Sequence, residues 1–482
     1  MAKFNEKTTY DRTTSYEGAT LYKRNTVEAW LNMLFSSFLE NQYYEKSSDQ
    51  IERLLNLTEA VANQYGYAFV GKAAIFARNE FGMRSVSQLI AAWLNDKSFQ
   101  EKREFYRSFM RRPDDVSEIF GAVKYLNGKR SHALIKGSAD YLSSLGQYEI
   151  TKYKMIGHTY NMYDLINLTH ANSKVINDFK NNLLEAPDTW EVNIAKKQSK
   201  ESRQATWKEM VEEGKLGYMA LLRNLNNILY NPNIDNEWIE EYLYPQLINE
   251  NKIRKSLVFP YRIYTAYKNL KINNLLIESA LGQAFGIATY NIPKFDGISA
   301  IVLDVSGSME NHVSSNSSIT LKEIGACFAT ALFLNGSNID FIKFGTGAKR
   351  FNGFSRLNNP FSIIDAMCAN SNCGFGTNIQ SAIEIMKDTY DRIFVISDMQ
   401  IFWRNYNNYY ARYKADPISS WNRKYDNIMT YSFDLANYDG QIEPPSDNFM
   451  FLTSLNDSIF KYIDLVNGKK NIVNLINNIS FG

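Results

Sequence analysis

The chain has 482 residues, of which 45% are apolar and 22% charged, and its formal net charge is +2. Such a length exceeds one ordinary core, the composition excludes an intrinsically disordered chain, and the charge excludes a protein that binds nucleic acid by bulk basicity alone. No apolar run approaches a membrane span, the first residues (MAKFNEKTTYDRTTSYEG) lack a signal-peptide core, and the three cysteines show no CxxC spacing; a cytoplasmic protein with no membrane segment, no disulfide framework and no zinc site is expected.

From about Thr26 to Leu281 the pattern is helical. TVEAWLNMLFSSFLE, DQIERLLNLTEAVANQY and SVSQLIAAWLND carry apolar residues at three- and four-residue spacing. Turns such as NEFGMR and LNGKRS separate them. Many short helices over this length predict an α-solenoid of stacked, HEAT-like helical pairs with no strict repeat period, occupying residues 1–290.

After Pro293 the pattern changes. ISAIVLDV, IDFIKFG, RIFVISDM, NIMTYSFD and NFMFLTS read as short strands, with helical LKEIGACFATALFLN and TNIQSAIEIMKDTYD between them. Apolar strands alternating with helices predict a parallel sheet covered on both faces, an α/β Rossmann-like domain over 296–482. The Tyr-, Asn- and Arg-rich segment 403–427 reads as a surface insertion.

In such sheets ligands gather at the carboxyl ends of the strands. Three predicted loops there carry hard oxygen donors: Asp304, Ser306 and Ser308 after the first strand, Thr377 before a helix, and Asp398 after another strand. Two carboxylates and three hydroxyls suit magnesium, which takes about six oxygens at roughly 2.1 Å. Gly307 is expected to let the loop bend. The alternative is a plain helix N-cap with no ion. Catalysis is not expected: the domain's one histidine is His312, in a polar stretch, and there is no GxxxxGK[ST] nucleotide loop. DxSGS with a downstream Thr and Asp resembles the metal-ion-dependent adhesion site of von Willebrand factor A domains. That resemblance implies that Ser306, Ser308 and Thr377 coordinate directly, that Asp304 and Asp398 bind closely or through water, and that an open position accepts a partner's acid.

Charge is spread unevenly. Residues 1–295 hold 38 Lys+Arg against 33 Asp+Glu, or +5, and the remainder 15 against 18, or −3. The densest basic material is expected in 102–154: Arg111, Arg112, Lys124, Lys129, Arg130, Lys136, Lys152 and Lys154, with Tyr106, Tyr125, Tyr141 and Tyr153 interleaved. Cations neutralise phosphates and aromatics stack on unpaired bases, so the cluster is a candidate single-stranded RNA surface. A solvated helical face over core tyrosines is the alternative.

The helical half resembles the TROVE domain of the Ro autoantigen family. ARNEFGMRSVSQLIAAWL, RRPDDVSEIF, EITKYKMIGHTYNMYDLINLTH, TWEVNIAKKQS, ALLRNLNNI and SLVFPYRIYTAY follow the family's order of motifs, and AFGIATYNIPKFDGISAIVLDVSGSM enters the A domain as that family does. The resemblance implies a monomeric ring of helical repeats that takes single-stranded 3′ ends of misfolded noncoding RNA into its hole and Y-like RNA on its outer surface. It further implies work in RNA quality control beside an exoribonuclease such as polynucleotide phosphorylase. By position Lys152, Lys154 and His170 fall in the family's RNA-contact segment, His170 being equally readable as a core residue. The chain departs from the pattern at Tyr160, Asn161, Met162 and Tyr163, where the family has Trp-Ser-His-Lys, and at Asn167, where it has Arg. Those losses weigh against tight Y RNA binding. The competing expectation is a protein-interaction adaptor that recruits an acidic partner through the metal loop.

Overall fold

The computed structural model describes residues 12–14, 20–22, 25–37, 39, 46–153, 155, 157–185, 189–313, 317–353, 355–399, 424–425, 427–436, 448–452, 463 and 472–482. Most of the proposed 403–427 insertion, and Lys154, lie outside them. The chain forms two compact units: one of 26–40, 46–200 and 458–482, the other of 1–25, 41–45 and 201–457. Their division falls at 200, whereas the sequence pattern changes near 290.

The first unit is helical, and its helices pack mostly on their neighbours or next neighbours in the chain. Helix Ser47–Tyr65 stops at Gly66, whose φ of 87° few other residues adopt. Helix Met162–Thr169 starts at a reciprocal cap, Asn161 Oδ1 accepting from Asp164 N and Asp164 Oδ2 from Asn161 N. Trp30, Leu34, Phe69, Phe105, Phe109 and Phe120 belong to one continuous apolar core. Helix His132–Ser143 crosses Lys102–Phe109 at Gly137, where a Cβ would stand 2.6 Å from the Arg103 carbonyl oxygen. The same unit takes in helix Ile472–Asn477, which packs on Tyr67–Glu80. Lys72 Nζ donates to the Asn477 carbonyl (2.7 Å) and Ser108 Oγ to the Phe481 carbonyl (2.6 Å). The Phe481 ring meets Phe105 edge-on, 5.6 Å between centroids.

The second unit begins with a hairpin, β1 (Arg12–Thr14) and β2 (Thr20–Tyr22), and continues with helices from Lys200–Glu212 to Leu275–Ala288. Its six-stranded sheet runs β5-β4-β3-β6-β7-β8, with β3 Ile298–Asp304, β4 Asn338–Phe344, β5 Ala348–Phe351, β6 Arg392–Ser397, β7 Met429–Asp434 and β8 Phe449–Leu452. All pairings are parallel except β4 with β5. The five expected strands are present. The unexpected one is β5, a partly exposed edge strand (AKRF) without an apolar run. Helix Pro360–Cys368 is likewise additional, with Pro at its first turn and Asn359 Oδ1 accepting from Phe361 N.

The boundary at 290 separates two kinds of secondary structure but not two cores. Tyr267 stacks on Phe361 at 3.9 Å, and Phe285 meets the same ring. Glu323, at the start of helix Leu321–Leu334, accepts from Tyr264 Oη (3.1 Å) and Lys268 Nζ (2.8 Å) of helix Pro260–Lys268. These contacts bury the apolar faces of residues 260–288 against the α/β part. Among the described residues no helix is long and apolar enough to cross a membrane.

Candidate functional site

The chain leaves β3 for β4 on one side of the sheet and β6 on the other, so the carboxyl end of β3 lies at the topological switch point. Asp304 ends β3 and is fully buried. Its Oδ1 accepts from Ser306 N (2.8 Å) and its Oδ2 from Ser397 Oγ (2.7 Å). Burial pushes its carboxyl up to about 6, against the opposing pull of the Ser397 and Ser306 hydrogen bonds. Ser306 Oγ lies 3.4 Å from Ser308 Oγ. Gly307 N donates to the Phe375 carbonyl (3.0 Å), and Asn370 Nδ2 bonds the Val305 and Gly374 carbonyls (3.3 and 2.8 Å). Asn378 N donates to the Gly345 carbonyl (2.8 Å), and a Cβ at Gly345 would stand 2.2 Å from the Gly374 oxygen. The loops after β3 and β4, the loop 370–378 and the end of β6 are thus tied together, with Thr377 and Asp398 buried in them.

The expected role of Gly307 is not observed. Its φ of −64° is ordinary, and an added Cβ would meet nothing closer than 3.7 Å. The close approach is made at Gly345. His312 is exposed, and its backbone pairs with Thr320. Two participants were not anticipated. Ser397 fixes Asp304, and buried Asp434 ends β7 opposite Ser397 in register; an acid closing the apolar run YSFD is the signal that marks it. Among the described residues no group of three or more His, Cys, Asp or Glu side chains gathers as for a metal. The loop cluster offers hydroxyls and two carboxylates instead, a donor chemistry that fits a hard cation. Cys327, Cys368 and Cys373 are buried, unbridged thiols.

The basic residues fall into different environments. Arg112 is committed: it pairs with Asp114 (3.0 Å), which Arg84 also binds (2.7 Å), and its guanidinium lies 4.9 Å from the Tyr153 ring centre. Asp115 takes Arg78, Gln88 and the backbone N–H groups of 111 and 112, so the RRPDD acids hold the start of helix Pro113–Tyr125. Arg130 donates to Tyr160 Oη (3.2 Å) above the Phe120 ring. Lys152 Nζ donates to Tyr148 Oη (2.9 Å) and stands 3.7 Å from Glu191; that hydrogen bond, with Glu191, holds its pKa above the ordinary value. Arg111, Lys124, Lys129, Lys136 and Tyr125 are exposed. Tyr106 is core, its hydroxyl donating to the Ala91 carbonyl. His170 is exposed and closes its helix at a φ of 58°, so it is not a core residue.

Helices joined to a mixed α/β sheet, with oxygen donors at its switch point, define a mostly helical protein with a carboxy-terminal α/β part. Residues 151–285 match the TROVE domain family. The structure is similar to that of the Deinococcus radiodurans RO (RSR) protein, with a TM-score of 0.63 at 12% identity, covering 93% of this chain and 100% of that one. The telomerase protein component 1 of Rattus norvegicus is 32% identical over 87 residues, and that of Mus musculus likewise. The match is 18% of this chain, which spans only 3% of the length of these curated relatives. The match to the TROVE family is thus confined to residues 151–285, while the likeness to the RO protein is one of fold and extends over nearly the whole chain.

Proposed function

We propose that this chain is an RNA-binding protein of the Ro type, which holds noncoding RNA through single-stranded segments and performs no cleavage itself. The observation that carries the reading is the pairing of a TROVE match with a cation–tyrosine surface at its start, where Lys152 adjoins Tyr148 and Tyr153. Ammonium and guanidinium groups beside tyrosine rings suit phosphates and unpaired bases together. Closure of the helices into a ring, capture of misfolded 3′ ends in its hole, Y-like RNA on its outside and partnership with an exoribonuclease are finer parts of the same proposal. Filter binding of a structured RNA with and without a single-stranded 3′ tail tests it. A tail preference and an affinity that falls steeply with salt are expected; equal, salt-insensitive binding of both RNAs refutes it.

A second surface favours a protein partner. Phe375 is 75% exposed although its carbonyl is fixed by Gly307 N beside the oxygen donors. In this reading Ser306, Ser308, Thr377, Asp304 and Asp398 hold a divalent cation, most simply magnesium. When bound, the ion supplies positive charge and an open position for a partner's carboxylate. Asp304, kept in place by Ser397 and Ser306 N, orients the loop.

A further inference from the structure

Residues 251–277 contain six cations (Lys252, Arg254, Lys255, Arg262, Lys268 and Lys271) and no acid. This stretch is more one-sided than 119–155, where six cations meet two acids. Lys268 is held by Glu323, Lys252 by Gln246 Oε1 at 3.0 Å, and Arg254 by Glu250 one turn before it. Arg254, Lys255, Arg262 and Lys271 are exposed.

At the end of helix Glu250–Ser256 these charges stand beside uncovered apolar groups. The Arg254 guanidinium lies over the Tyr290 ring, 4.4 Å from its centre, and also pairs with Glu250 at 2.5 Å. Tyr290 is 69% exposed and Leu257 67% exposed. Asn291 Nδ2 donates to the Val258 carbonyl (2.8 Å), which fixes the turn bearing Tyr290 against the segment bearing Leu257. Cations in the last turn of a helix are ordinary partners of its negative end. That explains Arg254 and Lys255 but neither the tyrosine nor the leucine.

Leu257 is the more telling residue. It closes the helix in the left-handed region at a φ of 51°, the place where glycine usually stands. The chain thus keeps a large apolar side chain where the backbone disfavours one and where water surrounds it. A large apolar side chain that bears both penalties is accounted for by a ligand that covers it.

We infer that Arg254, Lys255, Leu257 and Tyr290 form a second contact site for single-stranded RNA, distinct from the 111–152 cluster. A nucleobase stacks on the Tyr290 face that Arg254 leaves open, Leu257 flanks it, and Arg254 and Lys255 meet the adjoining phosphates. The excess of cations favours a polyanion over an apolar protein partner. The site rests on the RNA-binding reading above and adds to it a location in the second unit, partly beyond the matched TROVE segment.

The test is fluorescence anisotropy of the full chain with a labelled 15-nucleotide oligouridine across a sodium chloride series. Tyr290→Ala is expected to weaken binding about 5- to 100-fold. Arg254→Ala with Lys255→Ala should lower the salt slope by roughly one to two. Leu257→Gly should weaken binding several-fold while leaving the melting temperature unchanged or higher, since glycine accepts this backbone; a merely structural leucine would not separate the two readouts. Wild-type binding with all variants within twofold, at an unchanged slope, overturns the site. The same RNA result with loss of a co-purifying protein assigns the surface to a protein partner and overturns it as well. If the wild type binds no RNA, the general reading falls and takes this site with it.

Discussion

Glu323 is the residue whose loss should be felt most across the contact between helix Pro260–Lys268 and the sheet domain. Its carboxylate caps its own helix through Thr320 N (2.8 Å), and accepts from the buried Tyr264 hydroxyl and from Lys268. Glu323→Ala removes the reciprocal half of the cap, worth up to about 1 kcal/mol. It also leaves the Tyr264 hydroxyl without its acceptor, at about 1–3 kcal/mol. The Lys268 pair adds little, because Lys268 is 34% exposed and screened by water. The combined loss of about 2–4 kcal/mol should lower the melting temperature of this unit by roughly 5–10 °C. Glu323→Gln, which keeps one acceptor, should lose less. The Lys268 and Thr320 contacts hold the Glu323 carboxyl below its usual range despite burial. Its stabilisation is therefore complete above the unfolded pKa of about 4.3 and drains away as pH falls through the lower folded value. Thermal melts at pH 7 and near pH 3 measure this. A wild-type advantage that fails to shrink in acid, or an alanine variant melting within 1 °C of wild type at pH 7, refutes the reasoning.

Gly137→Ala places a methyl against backbone atoms of 103 and 107 and should destabilise the first unit by about 1–3 kcal/mol, despite alanine's better helix propensity, as denaturant unfolding would register. Lys152→Ala with Tyr148→Ala should weaken single-stranded RNA binding roughly tenfold or more in filter assays, with a smaller salt slope. Asp304→Ala should abolish any magnesium-dependent rise in melting temperature, read by thermal scans with and without the ion, while RNA affinity stays near wild type.

The sheet domain was legible because strands buried on both faces must be continuously apolar, and ISAIVLD, RIFVIS and MTYSFD are nearly so. Strand β5 escaped because an edge strand of AKRF needs no such run. The metal-type loop was readable as DxSGS, but its bracing was not. Ser397 and Gly345 act through neighbours 93 residues away and across the Gly374 approach, which local spacing does not reveal. Among the basic residues, charge alone misled at Arg112, since the acids that engage it stand in the same RRPDD string. The acid-free stretch after Glu250 was readable all along. Its meaning depended on Tyr290 and Leu257 being uncovered, which only the packing shows.

The return of residues 472–482 to the first helices has a consequence for biosynthesis. Ser108 waits for a carbonyl 373 residues downstream, and Lys72 for one 405 residues downstream. At about 5–20 residues per second, a ribosome needs roughly 20–80 seconds to deliver that segment. Through this interval the nascent amino-terminal helices expose the niche around Phe99 and Phe105 that Phe481 finally fills. They are then natural clients for a chaperone, and a premature stop codon before 472 would leave a product whose earliest-made part is the part left unfinished.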